Sequence, residues 1–206
     1  MLLPGDPGRA LRLAQQLLDG PKMLNHHRGL WGYSGLAADG RPLTIQSTGL
    51  GGPSAAIITE ELIGLGARRL VRVGTCGALA DLPLGSLVIA EAVRAQDGAS
   101  RALGVADELP ADAALLAALR AAGSGAATGL VVSTDLYYNP QHDGGGALAL
   151  DLTAGAVFAV ATLHGVAAAA VLAVSDRLAA GERIDPDALE HAEIELGRVG
   201  AAALAL

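Results

Sequence analysis

Along the chain, short runs of Val, Leu, Ile and Ala alternate with longer Ala/Leu segments whose apolar positions recur every three or four residues. Short apolar runs suit strands and the longer periodic segments suit helices, so the alternation predicts an α/β fold with a sheet flanked by helices. Strands are expected at Leu43 to Thr48, Arg69 to Gly74, Ser86 to Ala95, Ala127 to Ser133 and Ala167 to Ser175. Helices are expected at Pro7 to Leu18, Pro53 to Leu65, Ala111 to Ala121, Asp151 to His164 and Pro186 to Ala203. Pro7, Pro53 and Pro186 each suit the first turn of a helix, where the missing N–H costs nothing. Asp39-Gly40 between Trp31 to Leu36 and Arg41 to Gln46 predicts a β-hairpin, and Gly144 to Gly146 a flexible surface loop. Nothing repeats at a fixed period and no linker interrupts the pattern, so a single domain over residues 1–206 is expected.

Hydrophobic residues make up 51% of the chain and aromatic ones 2%, so the core of this packed globular protein must be built mainly from Ala, Leu and Val. The net charge of -7 argues against a broad phosphate-neutralising surface for nucleic acid, and any anion site must be local. Cys76 is the single cysteine, which excludes an internal disulfide, and no His/Cys cluster suggests a metal; a reducing cytoplasm is the expected location. The start MLLPGDPGRA does not read as a signal peptide, and the most apolar stretch, Gly165 to Val174, is shorter than the ~20 residues that cross a bilayer. No membrane partner is expected.

Four places carry residues that a core alone does not explain. Arg72 interrupts the otherwise apolar Leu70-Val71-Arg72-Val73-Gly74, where a guanidinium requires an anion, a structural salt bridge, or an edge strand that turns it to water. The strand leads into Gly74-Thr75-Cys76-Gly77, whose glycines allow close ligand approach at a strand's C-terminal end and whose Thr75 hydroxyl can bond an anion. Cys76 reads as a packing residue. In Leu3-Pro4-Gly5-Asp6-Pro7-Gly8-Arg9 a turn opens onto a helix N-terminus, which attracts anions, with Arg9 close behind. Thr48-Gly49-Leu50-Gly51-Gly52-Pro53-Ser54 is a glycine-rich strand-to-helix loop with neither dinucleotide nor P-loop spacing. Val171-Leu172-Ala173-Val174-Ser175-Asp176 ends an apolar strand in a carboxyl, which serves either as a cap or as a proton donor.

Six blocks, PGDPGRA at 4–10, RGLWGYSG at 28–35, STGLGGPS at 47–54, RVGTCGAL at 72–79, VVSTDLYYNP at 131–140 and AVSD at 173–176, resemble in order those of the hexameric purine nucleoside and uridine phosphorylases. The resemblance implies a three-layer α/β/α sandwich with a mixed central sheet, of the phosphorylase/hydrolase-like kind. It implies phosphate-dependent cleavage of a nucleoside's N-glycosidic bond to free base and ribose 1-phosphate, with phosphate as co-substrate and no further cofactor. Gly5, Arg9, Arg72 and Thr75 would hold phosphate, with Arg28 reaching into a neighbouring subunit's site, so that a dimer is the smallest active unit of a homo-oligomer. Asp176 would protonate a departing purine, with Arg72 as its catalytic counterpart at the phosphate. Tyr137, Gly77 and Ser175 would bound the base, and Leu50, Leu152 and Thr153 the sugar.

Against the family pattern, Thr153 stands where a Glu binds the ribose hydroxyls, and a neutral hydroxyl cannot accept two bonds from a diol as a carboxylate does. Asp151 is a possible substitute, His26 and His27 are candidates for a sugar-contacting His, and Arg183 for a partner of Asp176. In Gln141 to Leu150 only Gln141 matches the pyrimidine-reading pair, Asp143 standing near its Arg position, while Asp176 favours a purine. Uridine phosphorolysis, a hydrolytic nucleosidase and a non-catalytic ligand-binding relative are the competing readings.

Overall fold

The computed structural model describes residues 1–138 and 144–205. In chain order its strands are β1 (Leu2–Leu3), β2 (Asp19–Asn25), β3 (Gly32–Leu36), β4 (Pro42–Gln46), β5 (Arg69–Ala78), β6 (Leu87–Ala95), β7 (Glu108–Pro110), β8 (Ala127–Ser133), β9 (Ala149–Asp151), β10 (Ala167–Arg177) and β11 (Glu182–Arg183). The helices are α1 (Pro7–Leu17), α2 (Gly52–Gly64), α3 (Gly98–Ala102), α4 (Ala113–Ala122), α5 (Ala154–His164) and α6 (Pro186–Ala203). All strands join one mixed sheet. β5 is its hub, parallel to β1 and to β10 and antiparallel to β9. Pairings of β10 with β6, β6 with β8 and β8 with β9 lead back to β5, so this half of the sheet closes into a small barrel.

Residue alternation explains the layers. In β10, Ala168, Ala170, Leu172 and Val174 pack into one apolar cluster with α2 and α5, while Ala169, Val171 and Ala173 pack into another with α1, α4 and α6. A strand buried on both faces needs no polar alternation, which is why β10 reads as one apolar run. α5 is likewise buried all round from Ala154 to Ala161. The result is the expected α/β/α sandwich around a mixed sheet.

Several boundaries differ from expectation in ways that matter for the site. β5 continues to Ala78, held by β10 along its whole length, so Gly74 to Gly77 is strand and not a loop beyond it. β10 likewise carries Asp176 within it. The expected helix at Asp151 starts at Ala154 instead, because Asp151 ends β9, paired through Ser133 of β8. Gly144 to Gly146 is a 3-10 turn with Gly144 buried, whose first two carbonyls accept from Arg94, and not a free loop. The hairpin forms as β3 and β4, with Tyr33 opposite Ile45. Among the described residues no helix is long and apolar enough to cross a membrane.

Candidate active site

The first strand, β1, delivers the turn Pro4-Gly5-Asp6 to the N-terminus of α1, where the Asp6 carboxylate caps the helix by accepting from Arg9 N–H at 2.6 Å. Arg9 therefore lies in the first turn. Its Nη2 meets Glu193 of α6 at 2.8 Å and its Nη1 donates to the Val73 carbonyl at 3.5 Å. Beside β1, Arg72 projects from β5, with Nη1 donating to the Leu3 carbonyl at 3.2 Å and Nη2 facing Asp151 at 3.6 Å. Its guanidinium lies over Gly74, where a Cβ would stand 2.5 Å from Nη2. Glycine at that position is what gives the side chain room. Arg9, Arg72, Gly5, Thr75 and Thr153 line a cavity of about 280 Å³.

Arg72 and Asp151 are both buried, so each charge is taken out of water. Burial lowers the Arg72 pKa to about 10, although Asp151 opposes the fall and Arg9 adds to it. Burial also raises the Asp151 pKa, against the attraction of Arg72 and the hydrogen bonds from Ser133 and the start of α5. Desolvation is thus the larger influence on both titrations. The Nε atoms of Arg9 and Arg72 are also buried without a hydrogen-bond partner. Buried, strained charge of this kind concentrates where ligands bind.

A second cavity, of about 420 Å³, adjoins the first, for Leu50, Arg72, Thr75 and Thr153 line both. Asp176 lies at its far side, with its carboxylate accepting from Ser175 Oγ at 2.7 Å and from Arg183 Nε at 3.2 Å. Arg183 comes from β11, the antiparallel neighbour that folds back on β10 opposite Asp176. The Tyr137 hydroxyl is buried beside Asp176; burial first, and then that carboxylate, push its pKa up. Leu152 and Ser175 complete this wall.

Most residues expected from sequence meet at these two cavities: Gly5, Arg9, Arg72 and Thr75 at the first, Leu152, Tyr137, Ser175 and Asp176 at the second, and Leu50 and Thr153 at their junction. Gly77 lines neither, as its missing side chain makes room for Leu178, 2.8 Å from where a Cβ would stand. Arg28 also stands apart, exposed and at φ 55°, on a separate cavity of about 690 Å³ with Asn25, His27, Leu30 and Ile57. His26 and His27 stack on each other at 4.9 Å in solvent. Gln141 and Asp143 lie outside the described residues.

Sequence reading missed the two carboxylates that hold the arginines and the role of Gly74. Glu193 had a visible signal, because a helix through Ala192, Leu196, Gly197 and Gly200 puts it on the apolar face. Cys76 is a buried packing residue, its thiol raised by burial away from the reactive thiolate. No group of three or more metal-ligating side chains occurs among the described residues.

An arginine-lined pocket and one walled by Asp151 and Asp176 thus lie side by side on a mixed sheet between two helical layers. The family model of the Phosphorylase superfamily matches residues 1–206, and the chain belongs to that family. It is 36% identical over 200 residues to "Purine nucleoside phosphorylase DeoD-type" of Jannaschia sp. (strain CCS1), covering 89% of this chain and 84% of that one. It is also 36% identical over 199 residues to "Guanosine phosphorylase" of Halorubrum lacusprofundi, covering 90% and 81%. A crystal structure of uridine phosphorylase from Vibrio fischeri ES114, complexed with 6-hydroxy-1-naphthoic acid, superposes with a TM-score of 0.83 at 28% identity, over 98% of this chain and 87% of that one.

Proposed function

We propose that the protein is a nucleoside phosphorylase, preferring purine nucleosides, that uses inorganic phosphate to release the base and form ribose 1-phosphate. The observation that carries this reading is the junction of the two cavities, where Leu50, Arg72, Thr75 and Thr153 are shared by a pocket that also holds Arg9 and one that also holds Asp176. A substrate with an anion at one end, a base at the other and a sugar between matches that order.

In this reading a phosphate oxygen, presented by Arg9, Arg72 and Thr75, attacks C1′ of the sugar as the bond to the base breaks. The bonding electrons leave with the base, and the purine's imidazole nitrogen takes up a proton delivered through the Asp176 carboxyl. Arginine suits the first task because its planar fork is charged at neutral pH and holds phosphate oxygens in a fixed direction. The negative phosphate also offsets the positive charge that develops on the sugar, as in glycoside cleavage generally.

One chain alone offers the anion little surplus charge. Arg9 and Arg72, the two arginines that line the first cavity, are already paired with Glu193 and Asp151, and Asp6 lines the same cavity. A further cation is required, and Arg28 of a second subunit supplies it in this account. Two features support that role: Arg28 is held at φ 55°, a conformation costing about 1–2 kcal/mol for a side-chain-bearing residue, and Met23, Leu24 and Ile57 leave apolar surface exposed in the same region. The active unit is then at least a homodimer, with a hexamer implied by the family resemblance, working in the cytoplasm in purine salvage. No cofactor beyond phosphate takes part.

The uridine phosphorylase likeness supports uridine as the second substrate to try. The test is base release from inosine, guanosine, adenosine and uridine, with and without phosphate. Phosphate-dependent release, fastest from a purine nucleoside, is expected. Release that ignores phosphate would make the protein a hydrolase, and no release at all a ligand-binding relative.

A further inference from the structure

The carboxylate of Glu193 is the one buried charge on α6, on a helix face otherwise made of Ala192, Leu196, Gly197, Val199, Gly200 and Ala203. It comes from the opposite end of the chain to the phosphate turn, yet bonds Arg9 at 2.8 Å and also takes Arg12, one turn further along α1. The contact is built to be close. A Cβ at Gly197 would collide with Leu13, so that Arg9 and Leu13 of α1 face Glu193 and Gly197 of α6 as two successive steps.

A surface staple between two helices would need only Arg12, whose side chain is 37% exposed, against one carboxylate. Glu193 instead reaches inward to the buried arginine that lines the phosphate cavity. With Nη2 on Glu193 and Nη1 only 3.5 Å from the Val73 carbonyl, the carboxylate is the stronger of the two holds on the Arg9 guanidinium.

We propose that Glu193 is a positioning residue of the phosphate site: it does not touch substrate but fixes the direction of the Arg9 fork. The proposal rests on the phosphorylase reading and goes beyond it. Two effects of removing this carboxylate have opposite signs. Loss of a negative charge beside Arg9 would by itself tighten phosphate binding, whereas loss of the tether would loosen it, and positioning requires the second to prevail.

Steady-state kinetics on wild type, Glu193→Gln, Glu193→Asp and Arg12→Ala, with thermal midpoints for each, decide between them. Glu193→Gln is expected to raise the KM for phosphate about tenfold while the KM for the nucleoside stays within about twofold, a split that general loss of folded protein does not produce. Glu193→Asp, which keeps the charge on a shorter arm, should raise it about threefold, and Arg12→Ala should leave it within about twofold. A phosphate KM unchanged or lowered in Glu193→Gln, or raised equally by Arg12→Ala, overturns the proposal. Should Glu193→Gln not fold, an unchanged phosphate KM in Glu193→Asp overturns it instead. A wild type that needs no phosphate would be a failure of the function, not of this inference.

Discussion

At the proposed phosphate end Arg9 and Arg72 are buried and each is held through both terminal nitrogens, while at the proposed base end Tyr138 is 87% exposed and Asp176 is met by Ser175 and a solvent-facing Arg183. The first is fixed by carbonyls and carboxylates drawn from β1, β5, β9 and α6. Phosphate is the same in every turnover, so a prebuilt cradle for it lowers the reorganisation needed at the moment of reaction. That order takes the charges of Arg72 and Asp151 out of water, which their mutual attraction must offset. The base end spends little on order, and substrate choice is made there.

If the two ends divide the work in this way, variants at each should fail differently. Asp176→Asn should have the largest effect, lowering kcat for a purine nucleoside by about 10²–10⁴-fold while the KM for phosphate stays nearly constant, since only the proton donor is lost. A parallel rise in phosphate KM would erase the distinction between the ends. Arg72→Met should lower kcat/KM for phosphate by about 10²–10³-fold, whichever base the substrate carries. An effect confined to one base would move Arg72 out of the phosphate site.

Smaller changes sharpen the picture at the junction. Thr153→Glu should raise kcat/KM for a ribonucleoside by up to about tenfold, because a charged acceptor contributes roughly 1.5–3 kcal/mol where a neutral one contributes about 1. No gain would mean that the sugar does not lie against residue 153. The smallest effect concerns pH. Arg72 keeps its charge below its pKa of about 10 and loses it as pH rises through that value, so kcat/KM for phosphate should fall about fourfold by about pH 10.5 in wild type. For stability the sign is reversed. The unfolded Arg holds its proton to a higher pH than the folded one, so above about pH 10 the unfolded state binds more protons and this group's contribution to stability rises with pH. A pH profile in which Arg72→Met shows the same fall would assign the titration elsewhere.

The same contrast explains what sequence revealed. Apolar runs such as Ala167 to Val174 and the helix-starting prolines made the layers legible, since burial on both faces and the first turn of a helix leave direct marks. Arg72 was legible because a charge inside an apolar strand demands a partner. Which partner was not, for Asp151 is brought to Arg72 by the pairing of β9 with β8; Glu193 stood out on its apolar helix face, but its pairing with Arg9 is set by the crossing of α6 over α1, which leaves no local mark. The expected strand stopped at Gly74 because glycine weakens strand propensity, and the long pairing with β10 carries it on to Ala78. The short strands β1, β7, β9 and β11 carry two or three residues each, too few for a period to emerge.

Following the fate of phosphate itself tests the central claim most directly. With inosine or guanosine and inorganic phosphate as the only substrates, ³¹P NMR alongside base release should show one ribose 1-phosphate formed for each base freed, and both should vanish together in Arg72→Met. Free ribose accumulating with the base, and no new phosphorus resonance, would contradict the account.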